Sequence, residues 1–217
     1  TRMTRTLHHR GPDGSGVWTD IKAGLALGHA RLSILDLSDA GAQPMVSESG
    51  RYVITYNGEV YNFPELRQDL ESHGHKFRGH SDTEIVLAAL AEWGIEHALQ
   101  RMNGMFAFAV WDRETRSLTL ARDRAGKKPL YYGWCGRTFL FGSELKALRA
   151  HPDFQGDLDS DALGLFVQYS WIPAPFSIFR KVRKLEAGSF LTIAPSGPGA
   201  SASPRRYWSA RDVIEQA

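Results

Sequence analysis

From Phe106 to Trp111 every residue is apolar, in the order Phe-Ala-Phe-Ala-Val-Trp. Side chains alternate across a strand, so a strand formed there must bury both of its faces. A sheet open to water on one side is excluded, and each face needs its own covering layer. The surrounding pattern supplies candidates. Met105 to Asp112, Ser117 to Arg122, Leu130 to Trp134 and Thr138 to Gly142 read as four short strands joined by turns, an antiparallel meander. Helical patterns precede them. Helices on one face and a second sheet on the other give an α+β protein: a four-layer α/β/β/α sandwich of mostly antiparallel sheets.

Further strand signals lie at Gly16 to Thr19, Gly24 to Leu35 and Arg51 to Tyr56. The last is β-branched and aromatic with period two, and Asn57-Gly58 after it reads as a tight turn. Asn62-Phe63-Pro64-Glu65 predicts a capping box opening a helix that runs to Gly74. Ser81-Asp82-Thr83-Glu84 repeats the device before a helix ending at Gly94, which puts Asp82 in a first turn. There a carboxylate could simply offset the helix dipole at the surface. Thr1 to His9 resembles the last turns of a helix already under way, closed by Gly11-Pro12.

After Leu148 the texture changes. Asp159 caps a helix through Tyr169, Ile172-Pro173-Ala174-Pro175 is an extended connector, and Ser189 to Ile193 is a strand. Pro195 to Pro204 is low-complexity and reads as a loop or linker. The expected division is a domain over residues 1–154, followed by residues 155–217 as its end and a linker into a further, truncated domain.

Lys and Arg total 26 against 24 Asp and Glu, a net charge of +2 that requires neither nucleic acid nor an anionic membrane as partner. The basic run Arg180, Lys181, Arg183, Lys184 reads as a solvated edge. The single cysteine, Cys135, excludes an internal disulfide and fits a reducing compartment; it reads as a residue of the turn between two apolar strands. No membrane-length apolar run or signal peptide is present, so a cytoplasmic location is expected. His8 and His9 are adjacent and His73, His75 and His80 lie close together, but no metal-ligand spacing joins them, and no metal is expected. Neither a strand–GxGxxG–helix nor a Walker loop occurs, so no nucleotide cofactor is expected within these residues.

Several segments, in order, resemble the glutaminase domain of asparagine synthetases, within the class II glutamine amidotransferases that use an N-terminal nucleophile. They are His9-Arg10-Gly11-Pro12-Asp13, Gly28-His29-Ala30-Arg31-Leu32-Ser33-Ile34, Gln43-Pro44-Met45, Tyr56-Asn57-Gly58-Glu59, Ser81-Asp82-Thr83-Glu84 and Gly104-Met105-Phe106-Ala107-Phe108. Ala121-Arg122-Asp123-Arg124 and Lys128-Pro129-Leu130-Tyr131-Tyr132 continue the match, and Ser143-Glu144 through Leu148 is similar to the asparagine-synthetase branch in particular. Lys181 and Glu186 depart from the glycine and proline expected there, as do Ala125 and Lys127 from apolar choices.

The resemblance implies a site for L-glutamine. Arg31 is similar to the residue that grips the α-carboxylate, a task for a planar fork of donors. Leu32, Ile34 and Leu35 would frame that end of the substrate through their backbone. Glu59 and Asp82 would face the α-ammonium. Asn57 and Gly58 are similar to an oxyanion hole, offering a side-chain amide and a backbone N–H to the charge that develops in acyl transfer. The family's nucleophile is a cysteine at the mature N-terminus, and no residue here matches it, so the chain alone is expected not to turn over glutamine. The resemblance further implies a C-terminal synthetase domain that uses ATP and Mg to amidate aspartate; a homodimer is compatible with it. Two other readings stay open: a non-catalytic glutamine-binding module, and an amidotransferase of the same architecture acting on a sugar or cell-surface precursor.

Overall fold

The computed structural model describes residues 1–33, 41–194 and 203–215. The doubly apolar segment forms β5 (Gly104–Asp112), inside a six-stranded antiparallel sheet. The order is β11 (Arg205–Arg206), β10 (Ser189–Ile193), β6 (Ser117–Arg122), β5, β4 (Tyr52–Val60) and β3 (Met45–Val46). Phe106, Phe108 and Val110 point to one side, where α2 (Phe63–Ser72) and α3 (Asp82–Arg101) cover them with Leu66, Leu70, Ile85 and Leu90. Ala107, Ala109 and Trp111 point to the other, against a second layer of strands. Complete burial of Phe106 and Phe108 contributes roughly 2–3 kcal/mol each.

That second layer holds a ribbon of β1 (Gly14–Asp20) and β2 (Leu25–Arg31), and a three-stranded sheet ordered β8 (Thr138–Gly142), β7 (Tyr131–Cys135), β9 (Arg183–Lys184). Its outer face is covered by two short helices, α1 (Arg2–Arg5) and α4 (Leu145–Arg149), through Met3, Ala147 and Leu148, with Leu7 from the turn after α1. The stack is therefore α/β/β/α, as the two-faced β5 requires. Beyond it, α5 (Ser160–Tyr169) is capped by Asp159, whose carboxylate accepts from Asp161 N at 3.0 Å and Ala162 N at 3.1 Å. α6 (Ala210–Glu215) lies at the end of the described residues. Although the texture changes after Leu148, β10 pairs with β6 inside the central sheet.

Several local expectations are corrected. Asn57-Gly58 is not a turn: β4 runs straight through it to Val60, with Asn57 opposite Ala107 and Gly58 opposite Phe106. A Cβ on Gly58 would lie 2.3 Å from Met105 O and 2.6 Å from Phe106 Cα, so the glycine serves close strand approach. The expected meander is also broken, because β6 and β7 lie in different sheets. Between them the fully buried Asp123 accepts backbone N–H groups from Phe106, Ala125, Lys127 and Lys128, turning the chain from one layer to the other.

Neither capping box closes as predicted. The Asn62 amide bonds to Asn103 N and Arg101 O, tying the start of α2 to the end of α3. Ser81 does cap α3, accepting from Thr83 N at 3.2 Å, but Glu84 turns outward to the N–H groups of Arg78 and Gly79. Finally, Gly94 breaks α3 without ending it: its φ of 71° lies in the region glycine alone enters cheaply, and a second helical piece continues to Arg101. Cys135 is the last residue of β7, fully buried, with the turn following it. Ile34, Leu35 and the Pro195 to Ala202 part of the expected linker fall outside the described residues.

Candidate functional site

The site is built on the free edge of β4. Tyr61 N bonds to Asn103 O, and Arg113 N to Arg51 O, so the odd-numbered residues of β4 exchange backbone bonds with β5. The N–H and C=O groups of Tyr56, Gly58 and Val60 therefore face the opposite edge. β3 covers that edge only opposite Val53 and Ile54. Past β3, side chains take over. Tyr56 N donates to Gln43 Oε1 at 2.7 Å, Tyr56 O accepts from His29 Nε2 at 3.1 Å, and Val60 N donates to Asp82 Oδ2 at 2.9 Å. Between two occupied N–H groups stands that of Gly58, at the wall of a cavity.

Asp82 is not a surface acid. Sitting in the first turn of α3, it is only 5% exposed, and its Oδ2 also accepts the Tyr56 hydroxyl at 2.7 Å. Burial pushes its carboxyl above the usual aspartate range, and the bonds from Tyr56 and Val60 pull against that. The Tyr56 phenol is driven well above its ordinary value by burial and by the neighbouring carboxylate. Tyr56 thus remains a donor, and Asp82 is an acceptor aimed at the same place from the helix side.

Arg31 ends β2. The turn after it is pinned by the upstream His-Arg-Gly-Pro-Asp segment: Asp13 N donates to Arg31 O at 3.0 Å, and Ser33 N donates to Asp13 Oδ2 at 2.8 Å. Asn57 and Glu59 are half-buried on the inter-sheet face of β4, and Asn57 Nδ2 lies 3.4 Å from Ser143 Oγ. Beside Ser143, Glu144 joins Arg10, His9 and Lys146. Burial raises the Glu144 carboxyl, but bonds from Arg10, Lys146 and His9 outweigh it and hold the group below the ordinary range.

One cavity of about 1120 Å³ is lined by Arg31, Leu32, Asn57, Gly58, Glu59 and Asp82. Six of the eight predicted positions are thus together, and Ile34 and Leu35 lie outside the described residues. The cavity is larger than an amino acid needs. From this polar end it extends between the layers along β2 and β8, whose outward edges carry no neighbouring strand among the described residues, toward Trp111 and Trp134. Two buried polar atoms along it have no partner, His29 Nδ1 and Trp111 Nε1. Among the described residues no three His, Cys, Asp or Glu side chains converge on a metal-sized site; His9, His73 and His75 lie against Glu144, Asp69 and Glu92. No helix among them is long and apolar enough to cross a membrane.

Sequence reasoning gave Gln43, His29 and Tyr56 no function. Gln43 and His29 stand in segments already singled out for their likeness, yet only the ladder parity of β4 shows what their side chains hold.

A four-layer sandwich with this cavity at one end of its central sheet has the architecture of N-terminal-nucleophile amidotransferases. Glutamine phosphoribosylpyrophosphate amidotransferase from B. subtilis, solved with ADP and GMP, superposes with a TM-score of 0.68 over 95% of this chain and 46% of its own, at 23% identity. The glutamine amidotransferase domain family matches residues 1–208, and the chain belongs to that family. It is 40% identical over 211 residues to the glutamine-hydrolyzing asparagine synthetase 3 of Bacillus subtilis (strain 168), covering 96% of this chain and 33% of the relative. The glutamine-hydrolyzing asparagine synthetase 1 of the same organism is also 40% identical, over 197 residues, with 90% and 30% covered. The chain spans about a third of the length of these relatives.

Proposed function

We propose that this domain binds L-glutamine and, within a longer protein that supplies an N-terminal cysteine, hydrolyses it to glutamate and ammonia. The observation that carries the reading is the Gly58 N–H, standing between two occupied N–H groups on the β4 edge, in the same cavity as Asn57, Arg31 and Asp82. Glutamine is a zwitterion with a neutral amide at its far end. Arg31 takes its α-carboxylate through paired donors, and Glu59 and Asp82 take its α-ammonium. The side-chain amide then lies toward Asn57 and Gly58. Leu32 frames the α-carbon end.

The chemistry follows from those positions. A cysteine thiolate adds to the amide carbon, and the carbonyl oxygen becomes an oxyanion that accepts from Asn57 Nδ2 and Gly58 N. Collapse breaks the C–N bond and releases ammonia, with the proton returned by the cysteine's own α-amine. Water then cleaves the thioester to glutamate. The slot along the edges of β2 and β8 that carry no neighbouring strand among the described residues is suited to an extended segment preceding residue 1 that brings the cysteine to this end. By analogy with the asparagine synthetases it matches, the ammonia serves ATP- and Mg-dependent amidation of aspartate in a C-terminal synthetase domain.

The test is glutamate and ammonia release by the full-length protein. Turnover is expected to vanish when the N-terminal cysteine is replaced and when Arg31→Ala removes the carboxylate grip. Turnover that persists without the cysteine, or unchanged glutamine affinity in Arg31→Ala, refutes the assignment.

A further inference from the structure

Both backbone polar groups of Tyr56 are held by side chains, one residue before Asn57 and two before Gly58. Gln43 Oε1 accepts from the N–H, and the same side chain donates through Nε2 to Thr83 Oγ1 at 3.2 Å, in the first turn of the helix that carries Asp82. On the C=O side, His29 Nε2 lies 3.1 Å from Tyr56 O, and two residues further along the same face of β2 stands Arg31. A second tie joins these strands where Thr55 Oγ1 donates to Gly28 O at 3.1 Å.

A carbonyl oxygen can only accept, so the proton of His29 is on Nε2. Nδ1 is buried without a partner, which suits a lone pair better than a second N–H. Burial, together with the nearby Arg31 charge, lowers this imidazole to about 4 against the opposing bond to Tyr56, so the ring is neutral at physiological pH.

We infer that His29 and Gln43 are positioning residues that hold both backbone groups of Tyr56 on the outward edge of β4 and thereby set the Asn57 amide and Gly58 N–H at a fixed distance from Arg31 and Asp82. In a sheet a neighbouring strand would do this, but it would also consume the Gly58 N–H. Side chains fix the edge at Tyr56 and leave the next outward-facing donor available. Neither residue needs to touch the substrate.

The effect on turnover rests on the glutaminase reading, whereas the clamp itself does not, and two measurements separate them. In the full-length protein, His29→Leu is expected to lower glutamine kcat about 100-fold, the scale of an ångström-level misplacement, with KM nearly unchanged. His29→Gln, which restores a donor of similar reach, recovers most of the loss. Equal losses in the two variants, or none in either, overturn the role. In the 217-residue chain, ¹⁵N NMR is expected to show a neutral, Nε2-protonated His29 at neutral pH. The Gly58 amide resonance should move in His29→Leu and Gln43→Met and stay in His29→Gln. An Nδ1-protonated ring, or a Gly58 resonance indifferent to both clamp variants, overturns the inference whatever the turnover. Absent glutaminase activity in the wild-type protein, with the NMR result as expected, sinks the functional reading and leaves the clamp standing.

Discussion

Gly58→Ala puts the fold and the site to trial together. The new Cβ would meet Met105 O at 2.3 Å, Phe106 Cα at 2.6 Å and Phe106 Cβ at 2.8 Å. Carbon and oxygen settle near ~3.4 Å, so β4 and β5 must part by about 1 Å where their pairing is continuous. No rotamer change relieves a clash with backbone. Overpacking of this kind costs about 3 kcal/mol, which in a domain of this length lowers Tm by roughly 6–12 °C. The same displacement carries the residue 58 N–H away from the cavity. Thermal unfolding followed by circular dichroism reads the first effect, and turnover of the full-length protein reads the second. A melting temperature within about 2 °C of wild type would mean that the strand approach is looser than the structure has it, and the argument for the glycine fails.

Asn57→Ala in the full-length protein should lower kcat by about 100- to 1000-fold with little change in KM, as removal of a donor to an oxyanion does; normal kcat removes Asn57 from that role. Asp82→Asn should weaken glutamine binding at least about 30-fold by calorimetry, because the buried charge facing an ammonium is lost. Burial already disfavours that charge, so the variant should melt no lower than wild type, and unchanged affinity would refute the pairing. The folded-state pKa of His29, about 4, lies below its unfolded value of about 6.5, so the unfolded chain binds more protons between the two. The stability contributed by the neutral ring is complete above about pH 6.5 and falls by about 3 kcal/mol as pH drops through 4. Denaturant titrations should show that loss in wild type and not in His29→Gln; parallel curves contradict it.

What the sequence disclosed divides by range. The apolar run at β5 required two covering layers, and both are present, because burial on two faces is a property of one segment and needs no knowledge of its partners. The pocket residues were legible through the resemblance carried by their segments, which implied a guanidinium, two carboxylates and an amide-glycine pair around one ligand, and the cavity gathers Arg31, Glu59, Asp82, Asn57 and Gly58. Local rules failed where distant groups decide. Asn57-Gly58 has the composition of a turn, yet β5 lies beside it and extends the strand. Asn62 has the spacing of a cap, but the end of α3 offers its amide better partners. The crossing between β6 and β7 turns on a single buried aspartate, Asp123, whose carboxylate ties the local turn at Ala125, Lys127 and Lys128 to Phe106 of β5, a partner that only the assembled sheet supplies. His29 and Gln43 were hidden for the same reason, since their work is on a strand edge that exists only once β3, β4 and β5 have paired.

Titration of the isotopically labelled chain with L-glutamine, followed by backbone NMR, is the most direct measurement. Saturable shifts should concentrate at Arg31, Gly58, Glu59 and Asp82, with D-glutamine and glutarate producing far weaker ones. Shifts located elsewhere on the surface, or none at all at millimolar glutamine, would contradict a glutamine site in this cavity.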